Sequence, residues 1–251
     1  MPIPFRKSRR DFLKVSTAAG GGLALQLMVP SRAIAAAANA KGPELTAWII
    51  VNPDNSVLIR VARSEMGQGS STGLPMLVAE ELECDWKKVR TEFVSTNEQV
   101  RRNRVWGSMA TGGSRSIRDS QEYLRQAGAV AREMLVAAAA QRWKVPPSEC
   151  DAENGVITHT PSQRKLRFGQ VAQAASKLEP PKDVKLKDPR EWNLIGRPAR
   201  RLDIPDKVRG KPLFGIDVQL PGMAYAAIAQ CPVFRGKLAT VADEESRGCG
   251  A

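Results

Sequence analysis

The sequence predicts an α+β fold of mixed strands and helices, then a proline-rich linker, then the start of a second α/β unit. Three observations predict it. Short β-branched runs at 47–51 and 57–61 flank the turn residues Asn52-Pro53-Asp54-Asn55-Ser56. Apolar side chains recur at helical spacing over 71–82 and again between Thr111 and Trp143. Prolines 180, 181, 189, 198 and 205 then interrupt a charged stretch without periodicity.

In order, 47–51 and 57–61 read as a hairpin, 62–69 as a loop and 71–82 as a helix. Pro75 falls in the first turn of that helix, where a missing N–H costs little. Residues 89–94 read as the next strand. Residues 97–110 read as a long loop with Arg101, Arg102 and Arg104 ahead of Trp106. These arginines are solvated or, in the functional alternative, meet a cofactor phosphate or a partner subunit. A long helix then opens at Thr111 and runs to about Trp143. Ile117, Leu124, Ala127, Ala131, Met134, Leu135 and Ala138 trace its apolar face, and Gly128 among alanines implies a close neighbour. Val145-Pro146-Pro147 stops it. Asn154-Gly155 marks a second hairpin with 156–158 as one arm, and 168–178 is a shorter helix. The linker covers 179–205, and strand-like runs follow at 212–218 and 223–230. The expected division is 1–40, 41–178, 179–205 and 206–251.

With 251 residues, 42% of them hydrophobic, the chain has material for a real core. The formal charge is +12, and residues 1–40 hold Arg6, Lys7, Arg9, Arg10, Lys14 and Arg32 against Asp11 alone. What remains is still basic, which suits an anionic cofactor, an acidic partner or plain solvated surface. With 5% aromatic residues and no zinc-finger, RRM or KH pattern, nucleic acid is set aside. Cys84, Cys150, Cys231 and Cys249 form no C-x-x-C, and the only histidine, His159, stands apart from them. Buried free thiols and an ordinary hairpin histidine are the expectation, with no metal ligands.

Residues 1–40 read as an export leader outside the fold. Ser8-Arg9-Arg10-Asp11-Phe12-Leu13-Lys14 has the form of a twin-arginine signal. The apolar stretch 15–29 contains Gly20-Gly21-Gly22 and falls short of the roughly 20 apolar residues of a membrane span. Residues 33–40 offer cleavage after Ala37 or Ala40. The expected route is the twin-arginine translocase, the expected location is the periplasm, and any membrane association would run through partners.

Two glycine clusters carry the chemistry. They are Met66-Gly67-Gln68-Gly69, followed by the hydroxyls of Ser70, Ser71 and Thr72, and Thr111-Gly112-Gly113-Ser114. Each precedes an expected helix, whose first amides are unpaired at the positive end of the dipole. Glycine lets the backbone approach a phosphate closely, and Ser114 suits an N-cap. Neither cluster is a Walker A loop or a G-x-G-x-x-G fingerprint. The residues by themselves leave two readings open, an anion site and a plain capped turn.

Glu65-Met66-Gly67-Gln68-Gly69 closely resembles a pterin-contacting loop of the xanthine oxidase family of molybdenum hydroxylases. Further pieces follow in the order of the large (β) subunit of the isoquinoline 1-oxidoreductase and membrane-associated aldehyde dehydrogenase type. They include Ala79-Glu80-Glu81-Leu82, Thr111-Gly112-Gly113-Ser114, Leu124-Arg125-Gln126-Ala127-Gly128-Ala129, Gly196-Arg197-Pro198, Arg201-Leu202-Asp203, Phe214-Gly215-Ile216-Asp217 and Cys231-Pro232. The resemblance spans nearly all of 44–243. It implies a molybdopterin-binding domain followed by the truncated start of an α/β hammerhead domain. It implies molybdopterin cytosine dinucleotide as cofactor, with Gly67, Gln68 and Gly69 along the pterin or its phosphates and Thr111, Gly112, Gly113 and Ser114 as a second contacting loop. It also implies hydroxylation of an N-heteroaromatic compound or oxidation of an aldehyde, with water as oxygen source. Electrons would pass to a small iron–sulfur subunit carrying [2Fe–2S] clusters, and onward to a cytochrome c.

In the family the glutamate base stands in a Gly-Val-Gly-Glu context, and this sequence contains none. Glu65 belongs to the pterin-loop pattern and is not assigned as the base. Residues 245–251 depart from the family pattern as a frameshift or premature stop would. The expectation is therefore the N-terminal part of a molybdenum-binding subunit, inactive alone and with no catalytic residue of its own. A non-catalytic exported fragment and a periplasmic anion-binding module stand as alternatives.

Overall fold

Ile49-Ile50-Val51 and Val57-Leu58-Ile59 are apolar at consecutive positions, which requires cover on both faces of the sheet they join. The computed structural model describes residues 42–228, 230–237 and 239–240. The expected leader, the 245–251 tail and Cys249 lie outside the described residues. Strands β1 (Glu44–Thr46), β2 (Ile49–Val51), β3 (Val57–Val61) and β4 (Val89–Phe93) form one sheet in that order. The pairs β1–β2 and β2–β3 are antiparallel, whereas β3 and β4 are parallel, with Val57 opposite Val89 and Val61 opposite Phe93. A parallel pair needs a crossover, and helix α1 (Ser70–Leu82) supplies it. The expected hairpin, helix and following strand are present, and β1 is an addition. At the hairpin turn Asn55 takes φ 71°. Its buried amide donates to Gly155 O and accepts from the Gly169 N–H, each at 3.0 Å, which fastens the first sheet to the second.

The second sheet is the antiparallel series β5 (Cys150–Glu153), β6 (Val156–His159) and β7 (Arg164–Arg167). Asn154 and Gly155 both take positive φ, 49° and 76°, as a two-residue hairpin turn with right-handed strand twist requires. The sequence does not announce β7, because Leu166 is its only apolar residue.

Three expectations are corrected between the sheets. Residues 97–110 are not all loop, since helix α2 (Thr96–Arg101) starts where the Ser95 hydroxyl accepts the Glu98 N–H at 3.1 Å. Arg102 is not a solvated charge. It pairs with Glu44 at 2.5 Å and lies 4.8 Å from the centre of the Trp106 ring, while Arg101 and Arg104 are exposed. Nor is there one helix from Thr111. Helix α3 (Arg115–Arg118) is a single turn, and α4 (Gln121–Trp143) begins after a break at Asp119-Ser120. Ser120 is fully buried, and its hydroxyl accepts from Tyr123 at 2.6 Å and from Arg63 Nε at 3.3 Å. Such side-chain bonding competes with a continuous helix. The expected apolar face is buried from Leu124 to Ala138, but Ile117, on the separate turn, is 42% exposed.

Helix α5 (Phe168–Ala175) buries Phe168, Val171, Ala172 and Ala175. The proline-rich stretch lies along α1. Buried Glu81 accepts the Lys187 N–H and Arg125 Nε, the latter at 2.8 Å. Buried Glu80 accepts the amides of Asn193, Leu194 and Ile195 and the Lys187 ammonium. A short helix, α6 (Ile204–Lys207), ends this unit. Residues 213–240 fall in a second unit. The strands expected at 212–218 and 223–230 are not formed. The regular element there is a 3-10 turn at Gly215–Asp217, and Ile216, Tyr225 and Ile228 are exposed. A strand needs a paired edge for its amides, and these runs find none among the described residues.

Helix α4 meets α1 closely at Gly128, where an added Cβ would lie 2.5 Å from Val78 O and 2.9 Å from Glu81 Cβ. Gly128→Val should therefore lower stability by about 2 kcal/mol or more, read as a reduced denaturant midpoint with unchanged slope. A variant as stable as the parent would show that the two helices do not pack this tightly.

Candidate functional site

Residues 62–69 leave the C-terminal end of β3, beside the end of its parallel neighbour β4. This is the end at which α/β sheets hold ligands. The loop is fixed from within by Glu65. One carboxylate oxygen accepts the N–H of Gly67 at 2.8 Å and of Gly69 at 2.9 Å, and the other accepts the N–H and hydroxyl of Ser71, both at 2.8 Å. Gly67 and Gly69 take φ 101° and 84°, which glycine adopts without strain. Gln68 turns its amide inward, donating to Ser64 O at 2.8 Å and Ser70 Oγ at 3.1 Å. Glu65 thus occupies the anion position at the N-terminus of α1 that the sequence suggests for a phosphate.

Burial raises the affinity of the Glu65 carboxyl for its proton, but the donors of Ser71, Gly69 and Gly67 outweigh it and pull the pKa down to about 2. From the stretch after Trp192, Arg201 donates to Gly67 O at 3.1 Å and reaches Glu65 at 3.4 Å. Arg201 is held in turn by Asp203 at 2.6 Å, and its guanidinium beside the Asp203 carboxyl keeps that group well below the usual range.

The second loop is tied to the first by the Ser64 N–H, which donates to Thr111 Oγ1 at 2.9 Å. Gly113 and Ser114 take φ 56° and 57°. Ser114 stands at the N-cap position of α3 but its hydroxyl makes no cap bond, so the expected capping role is corrected. The amides of Gly112, Gly113 and Ser114 donate to no described residue. Between the loops lies an open groove of about 630 Å³. Gln68, Gly69, Thr111, Gly112, Gly113 and Ser114 line it, with Met66 and Ile117 as apolar walls. The structure thus gathers six of the seven residues singled out in the sequence. Gly67 stands at the loop tip, bonded through its carbonyl to Arg201. At Gly67, Gly112 and Gly113 an added Cβ would meet nothing within 4 Å, so the glycines face open space.

Sequence reasoning gave no site role to Arg63, to Ser120 or to Arg201, the last named there only as part of a matching motif. The available signal was a charged residue, Arg63, placed directly between a buried strand and a glycine loop. Away from the groove, His159 is a packed hairpin residue as expected, its ring nitrogens bonded to Glu149 at 2.8 Å and Ser162 at 2.6 Å. Cys84 and Cys150 are buried free thiols, and burial pushes Cys84 up to about 12. Cys231 is exposed.

Two glycine loops thus flank one open groove, and the amides of Gly112, Gly113 and Ser114 meet no acceptor among the described residues. Residues 6–205 match the model of the molybdopterin cofactor-binding domain, and the chain belongs to that family. It is 33% identical to the beta subunit of isoquinoline 1-oxidoreductase from Brevundimonas diminuta, over 93% of this chain and 34% of the relative. It is 32% identical to the membrane-bound aldehyde dehydrogenase [pyrroloquinoline-quinone] of Gluconacetobacter polyoxogenes, over 81% of this chain and 26% of the relative. It is 31% identical to a nicotinate dehydrogenase chain of Pseudomonas putida, over 76% of this chain and 16% of the relative. The chain therefore spans from about a third to about a sixth of the curated relatives it matches. The structure of carbon monoxide dehydrogenase from Oligotropha carboxidovorans overlaps 53% of this chain and 16% of its own at 20% identity, with a TM-score of 0.42.

Because the Glu65 pKa in the folded chain lies below the ordinary value of 4.5, its contribution is fully present above that pH and is lost as pH falls toward 2. Glu65→Gln should lower the thermal midpoint at neutral pH, and the gap to the parent should close as the pH drops through that window. A gap independent of pH would show that the carboxylate does not carry the loop.

Proposed function

We propose that this chain forms the N-terminal cofactor-holding part of the large subunit of a periplasmic molybdenum hydroxylase, with molybdopterin cytosine dinucleotide in the groove between 66–70 and 111–117. The observation that carries the reading is the convergence of both motif loops on one open groove in a chain of the molybdopterin cofactor-binding domain family. The residues fit such a group. The unpaired amides of Gly112, Gly113 and Ser114 suit phosphate oxygens, the bare glycines admit close approach, and Met66 and Ile117 offer apolar surface to a ring system. When bound, the cofactor supplies the two-electron oxidation, with water as oxygen source. The residues of this chain bind and orient it. Glu65 and Arg201 keep the first loop in shape, and the Ser64–Thr111 bond sets the second loop beside it.

The substrate class is an N-heteroaromatic compound or an aldehyde, as the names of the relatives suggest. The general base comes from residues beyond those in this sequence, and this stretch alone is inactive. Electrons pass to a small subunit with [2Fe–2S] clusters and onward to a cytochrome c. The twin-arginine leader supports export in the folded state, and N-terminal sequencing of the periplasmic product should begin at Ala38 or Lys41. A product that keeps Arg9 and Arg10 would remove that part of the reading.

One relative's name specifies pyrroloquinoline quinone, so cofactor identity is the decisive measurement. Protein purified from its native host should carry molybdenum and release a cytidine nucleotide on acid treatment. A bound quinone without molybdenum would falsify the assignment. Gly112→Val tests the groove itself. Gly112 does not take positive φ and faces open space, so the valine should leave stability unchanged while abolishing cofactor retention. Retention at the parent level would show that the loop is a plain turn.

A further inference from the structure

The first glycine loop has little to offer a phosphate, because Glu65 already holds the amides of Gly67, Gly69 and Ser71. Positive charge for the groove must come from elsewhere. Several other cations drawn into the fold are compensated: Arg60 by Glu44 and Glu92, Arg125 by Glu81, Lys187 by Glu80 and Glu83, and Arg201 by Asp203. Arg63 is different. It is only 4% exposed, and its acceptors are neutral, Ser120 Oγ from Nε at 3.3 Å and Ala110 O from Nη1. No described carboxylate pairs with it. A buried charge surrounded by dipoles alone keeps a field that water does not screen.

Its position in the chain is equally specific. Arg63 stands at the start of the first loop, Ala110 immediately precedes Thr111, and Ser120 is the N-cap of α4. One side chain therefore ties together the ends of three segments that frame the groove. A guanidinium has more donors than these two acceptors use. Arg63 also lines, with Ser64, Glu65, Phe93 and Met109, a crevice of about 290 Å³ at the ends of β3 and β4, and it stands behind the groove rather than in its wall.

We propose that Arg63 is a positioning residue of the groove: its guanidinium sets the spacing of the two glycine loops, and its uncompensated charge draws a phosphate group between them. The proposal rests on the reading of the groove as a cofactor site, and the test separates the two. The probe is inorganic pyrophosphate, titrated calorimetrically into the full chain freed of cofactor. Parent, Arg63→Gln and Arg63→Lys are compared, with Arg190→Gln as a control that loses the same charge from an exposed pair. Thermal midpoints are recorded for each. Arg63→Gln should weaken binding about tenfold or more, Arg63→Lys should recover part of the loss, and Arg190→Gln should bind as the parent does. Equal binding by the parent and Arg63→Gln overturns the role of Arg63 alone, as does equal weakening by Arg190→Gln. A parent chain that binds no pyrophosphate overturns both the cofactor-site reading and the proposal. Should Arg63→Gln not fold, Ser120→Ala decides, because it removes one acceptor and leaves the charge. Weakened binding supports the proposal, and binding at the parent level overturns it.

Discussion

The Glu65 carboxylate, turned back onto the first amides of α1, is the interaction on which the groove depends. A helix N-terminus leaves donors that some acceptor has to meet. Here the acceptor comes from the loop itself, so the loop that carries Gly67 and Gly69 is shaped without any ligand. Hydrogen bonds to a charged group are worth about 1.5–3 kcal/mol each, and Glu65 collects several at once. The consequence is a division of labour. The first loop becomes a rigid wall, and the open donors of the site are those of Gly112, Gly113 and Ser114.

Glu80 and Glu81 repeat this logic further along α1. A buried carboxylate is costly unless its oxygens are met. A proline-rich segment without regular structure has amides that need acceptors. Each demand answers the other: the segment's amides and Lys187 reach Glu80, while Arg125 and the Lys187 N–H reach Glu81. The same segment carries Arg201 to the first loop. Its fastening to α1 is therefore also part of the shape of the groove.

Much of this was legible in the sequence. The first hairpin, α1, β4, the Asn154-Gly155 turn and the tight packing at Gly128 follow from β-branched runs, helical spacing and turn chemistry. The two glycine loops stood out by composition ahead of helices, and the order of motifs identified the family. What escaped was set by side chains reaching over long sequence distances. The break before α4 depends on a serine buried against Arg63, 57 positions away. β7 is an edge strand whose composition is mostly charge. Arg102 reads as a loop charge until Glu44 and Trp106 come to it. Helix α2 was missed although its signal was local, in the Ser95-x-x-Glu98 spacing that marks a helix start.

The parallel pairing of β3 with β4 carries a consequence for the order of events in folding. Unlike the hairpin, it cannot close until the intervening loop and α1 have been laid down and brought back across the sheet. Such non-local pairing pays its loop-closure entropy before any contact rewards it. The glycine loop lies within that crossover, so it takes its final shape in the same step that completes the core. On the proposed reading of the groove, cofactor capture is then a late event on an already collapsed chain, and the kinetics of its insertion should follow the slowest phase of refolding rather than precede it.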